Sequence, residues 1–157
     1  MSATRHSYRV SVEWTGNRGL GTQDHAGYGR DHTISVEAKP PIAGSSDPAF
    51  RGDPARWNPE ELLLASISAC HKLWYLGLCA KAGIAVLSYR DDAEATMQED
   101  RNGAGRFISA VLRPRITLRA GDDLAAATSL HRDAHEYCFI ANSVSFPIEC
   151  HPVITTE

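Results

Sequence analysis

Asn58-Pro59-Glu60-Glu61-Leu62-Leu63-Leu64-Ala65-Ser66-Ile67-Ser68-Ala69-Cys70-His71, continuing through Lys72 to Ala82 and Gly83, is the stretch whose reading decides the fold. Asn58 can accept from the first-turn amides, Pro59 suits the first helical position, and Glu61 completes an Asn-x-x-Glu capping box. Gly83 can take the positive φ that stops the helix. Between these signals Leu62, Leu63, Leu64, Ile67, Leu73, Trp74, Leu76 and Leu78 go round the whole cylinder, which predicts a helix buried on most sides. Cys70 falls at its middle, so a thiol deep in the interior is expected. One sheet and one partner helix are too little cover, and a second copy of the chain is the simplest addition: a homodimer burying residues 58–83.

Outward from the helix, Tyr8 to Trp14 alternates as a half-buried strand, and Asp31 to Glu37 returns as its hairpin partner. The turn Thr15-Gly16-Asn17-Arg18-Gly19 carries a cation at its tip. Lys39 to Trp57, with four prolines, reads as a long loop or lid. Beyond the helix, Ala85–Met97 and Arg106–Leu118 read as two strands joined through Asn102-Gly103. Pro114 inside the second implies an edge or a bulge. Asp122-Asp123 opens a second helix that ends near Cys138, and a last strand covers Val144–Val153. The class is α+β, with a mainly antiparallel sheet and two main helices in a single domain of 157 residues.

With a net charge of −3, a pI near 6.1 and no basic run, no nucleic-acid or membrane-surface partner is signalled. The first nine residues are polar and unlike a secretory signal, and His71 and Lys72 interrupt the one helix long enough to suggest a membrane span, so a soluble, cytoplasmic protein is expected. Cys70, Cys79, Cys138 and Cys150 are too few for a secreted disulfide scaffold. Cys79, nine residues from Cys70 and about 13 Å along the axis, cannot pair with it and reads as a small buried hydrophobe.

Three constellations carry chemistry. Cys70 and Cys138 both sit on helices among apolar neighbours, as a dithiol or as two buried hydrophobes. Glu60 lies about 15 Å along the helix from Cys70, too far to serve the thiol of its own chain. Either it is a first-turn acid favoured by the dipole or it acts across a two-fold axis. His131, His135 and Cys138, at i, i+4 and i+7, have a spacing that suits zinc if Cys70 or His71 completes the set, but no Cys-x-x-Cys accompanies them. Packing or hydrogen bonding is the reading preferred for these histidines. Arg18, Arg30, Arg51 and Arg56 are candidate cations for lowering a thiol pKa.

Asn58-Pro59-Glu60-Glu61-Leu62-Leu63 followed by Ser68-Ala69-Cys70, with Cys138 ending a late helix and Trp14-Thr15-Gly16-Asn17-Arg18-Gly19 in the early turn, resembles the OsmC/Ohr family of thiol-dependent peroxidases. The resemblance implies an intertwined homodimer whose central helices pack between sheets. It implies reduction of organic hydroperoxides, and hydrogen peroxide less readily, without metal or organic cofactor. By position, Cys70 is similar to the peroxidatic cysteine, Cys138 to the resolving one, Arg18 to the thiolate-stabilising arginine and Glu60 to the glutamate that holds it. An external dithiol, often a lipoyl protein, would reopen the disulfide, and Phe50, Trp57 and Phe139 would favour an apolar peroxide. Phe139-Ile140 stands where many relatives have proline, and Arg30 is a second arginine for the same role. The alternatives are a non-catalytic stress or ligand-binding dimer and a His/Cys zinc protein.

Overall fold

In the computed structural model, which describes residues 4–157, the elements in order are strands β1 (Ser11–Trp14), β2 (His32–Ser35) and β3 (Ile42–Gly44), helix α1 (Pro59–Lys81), strands β4 (Val86–Asp91), β5 (Glu94–Glu99), β6 (Gly105–Leu112) and β7 (Pro114–Leu118), helix α2 (Leu124–Tyr137), and strands β8 (Ile148–Cys150) and β9 (Val153–Thr156). The chain divides into two compact units, one ending at Leu62 and the other running Leu63–Glu157.

The first unit holds the antiparallel sheet β1-β2-β3. The segment expected as a loop contains β3, which Pro40-Pro41 and the small residues around Gly44 conceal from a periodicity reading. The fully buried Ser45 closes this segment: its hydroxyl donates to Asp31 Oδ1 at 3.0 Å and accepts the Asp53 amide at 3.1 Å. The capping box forms as the sequence predicts. Asn58 Oδ1 accepts the Glu61 amide at 2.8 Å and Glu61 Oε2 accepts the Asn58 amide at 3.2 Å, satisfying two amides that the helix itself cannot. At the other end of α1, Gly83 stands at φ 75°, free of the Cβ penalty.

In the second unit each long predicted strand breaks once and passes from one sheet to another. Residues 85–97 divide into β4 and β5, residues 106–118 into β6 and β7, and the C-terminal run into β8 and β9. The resulting sheets are β4-β7-β9 and β5-β6-β8. Pairing is antiparallel for β4 with β7 and for β5 with β6; the C-terminal strands add in parallel, β8 on β6 and β9 on β7. The bend has a physical anchor in Asp91. Its Oδ1 accepts the Arg113 amide at 2.7 Å and its Oδ2 accepts the Ser68 hydroxyl of α1 at 2.5 Å. Pro114 is neither at an edge nor at a bulge. It opens the central strand β7, where a missing N–H costs no ladder bond, and it is buried.

Tyr75, Cys79, Ile84, Ile116, Leu118, Ala127 and Ala134 form the core of this unit, joining α1 and α2 to β7. Helix α2 is capped by Asp123, whose Oδ1 accepts the Ala126 amide at 3.0 Å, while Asp122 Oδ2 accepts the Ala85 amide at 2.7 Å at the start of β4. Within one chain α1 is fully buried along a single stripe, Ile67, His71, Tyr75 and Cys79, rather than on most sides, and Leu73 is 65% exposed. Two of those four residues carry polar tips, which is why an apolar count does not pick out the stripe.

Candidate active site

Cys70 and Trp74 lie one turn apart on α1, and Cys138 is the C-cap of α2, with extended backbone. The structure sets the two thiols close enough to act on one another: the Cys70 side chain contributes to raising the Cys138 pKa. Trp74 stacks on Tyr137 with ring centroids 5.2 Å apart and meets Phe139 edge-on at 5.5 Å, so the residues flanking Cys138 are clamped to the helix that carries Cys70. Neither Trp74 nor Tyr137 was singled out by the sequence reading, although an aromatic one turn from the first cysteine and another beside the second were its available signal. Tyr137 and Phe139 remain 52% and 68% exposed, giving the dithiol an apolar, accessible margin.

The two thiols differ in setting. Cys70 is half-buried, not deep in the interior as its mid-helix position suggested, because it sits beside the buried stripe of α1 rather than on it. Cys138 is fully buried. Burial pushes its thiol up to about 11; the Ala141 amide, which donates to the sulfur at 3.4 Å, pulls the other way, and the Cys70 side chain adds to the rise. After Cys138 the chain turns through Ala141–Ser143 without proline, held by the Ser143 hydroxyl on the Phe139 carbonyl at 2.7 Å and by Asn142 Nδ2 on the Glu136 carbonyl at 2.9 Å. All four cysteines are free thiols. Cys79 is buried in the core, as expected of a small hydrophobe.

The proposed zinc face on α2 does not assemble. His131 is 5% exposed while His135 is exposed, and Cys138 is buried at the C-cap. His131 instead meets His71 of α1 and Cys150 at the end of β8. His71 Nε2 and His131 Nδ1 are 3.0 Å apart, and the Cys150 sulfur is 3.7 Å from the first and 3.8 Å from the second. Burial holds His71 down to about 4 and His131 to about 3, and pushes the Cys150 thiol up to about 12. Nothing in the sequence pattern joins these three residues, which come from two helices and a strand end.

In the first unit, Arg18 sits in a loop pinned at its neck by Gly16 and Gly29. The Gly29 amide donates to the Gly16 carbonyl at 2.8 Å, and a Cβ on Gly16 would stand 2.0 Å from the Gly29 oxygen. Asn17 Oδ1 accepts the amides of Gly19 and Gly21 at 2.9 and 3.0 Å, shaping the turn around the exposed Arg18. Arg30 is committed to its own loop: it donates to the carbonyls of Tyr28 and His25 at 2.6 and 2.9 Å and lies 4.0 Å over the Tyr28 ring. Arg56 pairs with Asp31 and Asp53. Glu60 is half-buried, and its Oε2 is buried with no hydrogen-bond partner among the described residues, an acceptor left over from folding.

A central helix set beside bent sheets, with one thiol at its middle and another at the end of a second helix, defines an α+β protein of the OsmC/Ohr fold. The chain belongs to the OsmC-like protein family, whose model matches residues 52–152. It is similar to an OsmC-like protein of unknown function from Vibrio cholerae, with 29% identity and a TM-score of 0.85 over 95% of this chain and 100% of that one. It also resembles an organic hydroperoxide resistance protein from Elizabethkingia anophelis in fold, at 18% identity and a TM-score of 0.66 over 98% of this chain and 100% of the other. The uncharacterized protein YmaD of Bacillus subtilis is 22% identical over 92% of this chain and 90% of its own length.

Proposed function

We propose that the protein is a thiol-dependent peroxidase that reduces organic hydroperoxides to alcohols. The observation that carries this reading is the unequal pair: Cys70 half-buried, and Cys138 fully buried, with a thiol pushed up to about 11 by burial and, in smaller part, by the Cys70 side chain. A thiol held neutral does not compete for the peroxide, so the roles divide, with Cys70 attacking and Cys138 resolving. The Cys70 thiolate attacks the terminal peroxide oxygen and the O–O bond breaks. The alkoxide takes a proton and leaves as the alcohol, and Cys70 is left as sulfenic acid. The Cys138 sulfur then displaces that oxygen as water, forming the Cys70–Cys138 disulfide. An external dithiol, such as a lipoyl protein, restores both thiols by exchange and is itself oxidised to a disulfide.

Arg18 supplies the guanidinium that stabilises the thiolate and orients the peroxide, and Glu60, whose Oε2 has no other partner among the described residues, holds that guanidinium. The working unit in this reading is a homodimer, with Arg18 and Glu60 completing the thiol site. Trp74, Tyr137 and Phe139 favour an apolar peroxide substituent over a hydrated one.

Steady-state consumption of cumene hydroperoxide with dihydrolipoamide tests the reading. Cys70→Ser is expected to abolish turnover, and Cys138→Ser to leave a single oxidation followed by over-oxidation of Cys70. A Cys70→Ser protein with unchanged rate, or a parent no faster than free cysteine, would overturn the peroxidase and favour a non-catalytic binding dimer.

A further inference from the structure

From the meeting of His71, His131 and Cys150 we infer a second site, distinct from the dithiol, that binds a monovalent copper ion in a trigonal arrangement. The three residues come from α1, α2 and the end of β8 and offer one donor atom each, all mutually within 4.8 Å. Bond lengths of about 2.0 Å to nitrogen and about 2.3 Å to sulfur, in one plane, require about 3.7 Å between sulfur and each nitrogen and about 3.5 Å between the nitrogens. The two sulfur-to-nitrogen distances are 3.7 and 3.8 Å, already those of a loaded site. The nitrogens, at 3.0 Å, have to part by about 0.5 Å.

The rings are 7° from coplanar with centroids 5.3 Å apart, so the facing nitrogens meet head-on and share one proton. The far nitrogens, His71 Nδ1 and His131 Nε2, are buried with no partner among the described residues, so either tautomer of the shared proton leaves one N–H unpaired and a bound ion leaves one on each ring; the case for the ion rests on the donor geometry.

The choice of ion follows from charge and donor number. Two neutral imidazoles, one thiolate and Cu⁺ sum to zero, which suits histidines that are 1% and 5% exposed. A divalent ion would leave net positive charge on the same three ligands and would seek a fourth, and among the described residues the cluster offers three. Thiolate with imidazole is also the donor set that a soft d10 cation selects. Binding releases one proton, that of the Cys150 thiol, to solvent. The Tyr75 ring, stacked on His131 at 3.9 Å, holds that imidazole in plane. The bend in the sheets fixes the third ligand, since Cys150 pairs with Leu112 immediately before the break.

The test removes the other dithiol first. Anaerobic Cu⁺ is offered with the chromophoric chelator bicinchoninate to the Cys70→Ser, Cys138→Ser protein. One equivalent is expected to be withdrawn from the chelator, and the copper K-edge absorption to show one sulfur and two nitrogens. Adding Cys150→Ser, a near-isosteric change, or His131→Gln is expected to weaken binding by about 100-fold or more, at least the loss that even an outer-shell change can produce. The inference is overturned if the parent withdraws no copper, if the Cys150→Ser variant binds with the parent's affinity, if the first shell lacks sulfur, or if equimolar Zn²⁺ displaces the copper.

Discussion

Asn58→Ala removes the group from which α1 starts. The side chain is 5% exposed and takes the Glu61 amide at 2.8 Å, while Glu61 Oε2 returns a bond to the Asn58 amide at 3.2 Å. Loss of an N-cap costs typically about 1 kcal/mol and up to about 2. Because this site is closed to the water that would rescue the freed amide, the upper figure, about 2 kcal/mol, applies. Glu61→Ala removes the longer and more exposed half, for about 0.5–1 kcal/mol. The double variant should cost less than the sum of the two by about 0.5 kcal/mol, since either change opens the same box. Urea unfolding at one protein concentration reads this directly. With a slope of about 2 kcal/mol per molar, Asn58→Ala lowers the midpoint by about 1 M at unchanged slope. Cys70 lies about three turns further along, so alkylation of its thiol per folded molecule stays at the parent rate. A midpoint shift below about 0.2 M, or strictly additive single costs, would refute the reasoning.

Other outcomes follow from the same geometry. His71 and His131 are neutral in the fold, held to about 4 and about 3 first by burial, with Asp91 opposing and His135 assisting at His71 and with His71 itself acting on His131. The unfolded chain takes up protons near 6.5, so the stability of the metal-free protein is full above that pH and falls as pH drops toward 4. Thermal midpoints between pH 7.5 and 4.5 check this, and His131→Gln should flatten the profile. Gly16→Ala puts a Cβ 2.0 Å from the Gly29 carbonyl and 2.7 Å from the Trp14 indole nitrogen. The neck of the arginine loop must open, at about 1–3 kcal/mol, and the proposed role of Arg18 implies a lower kcat/KM with Cys70 alkylation intact. Trp74→Ala unclamps Tyr137 and Phe139 and should raise KM for cumene hydroperoxide more than for hydrogen peroxide, as paired steady-state assays would report.

What the sequence disclosed was local. The capping box, the positive-φ stop at Gly83 and the Asn102-Gly103 hairpin are each set by a few neighbouring residues, and each forms. The change of sheet at each strand break was not legible. Pro114 and Pro152 stand at two of the breaks and Asp92 at the third, but the division of each run between two sheets depends on partners far along the chain. Likewise the buried stripe of α1 has His71 and Tyr75 at its middle, which a hydrophobicity pattern passes over. The His71–His131–Cys150 meeting spans separations of 60 and 79 residues, and no spacing rule reaches that far. The pairing of Cys70 with Cys138 is a reading from family resemblance, whereas their inequality in burial needed coordinates.

In the proposed cycle one molecule of hydroperoxide joins two sulfurs of unequal burial in a disulfide. The most direct measurement is intact mass with peptide mapping after one equivalent of cumene hydroperoxide in the absence of reductant. Expected are the loss of two hydrogens and a single crosslink between the peptides of Cys70 and Cys138, with Cys79 and Cys150 untouched. An unchanged mass, or oxygen retained on Cys70 while Cys138 stays free, would contradict that cycle.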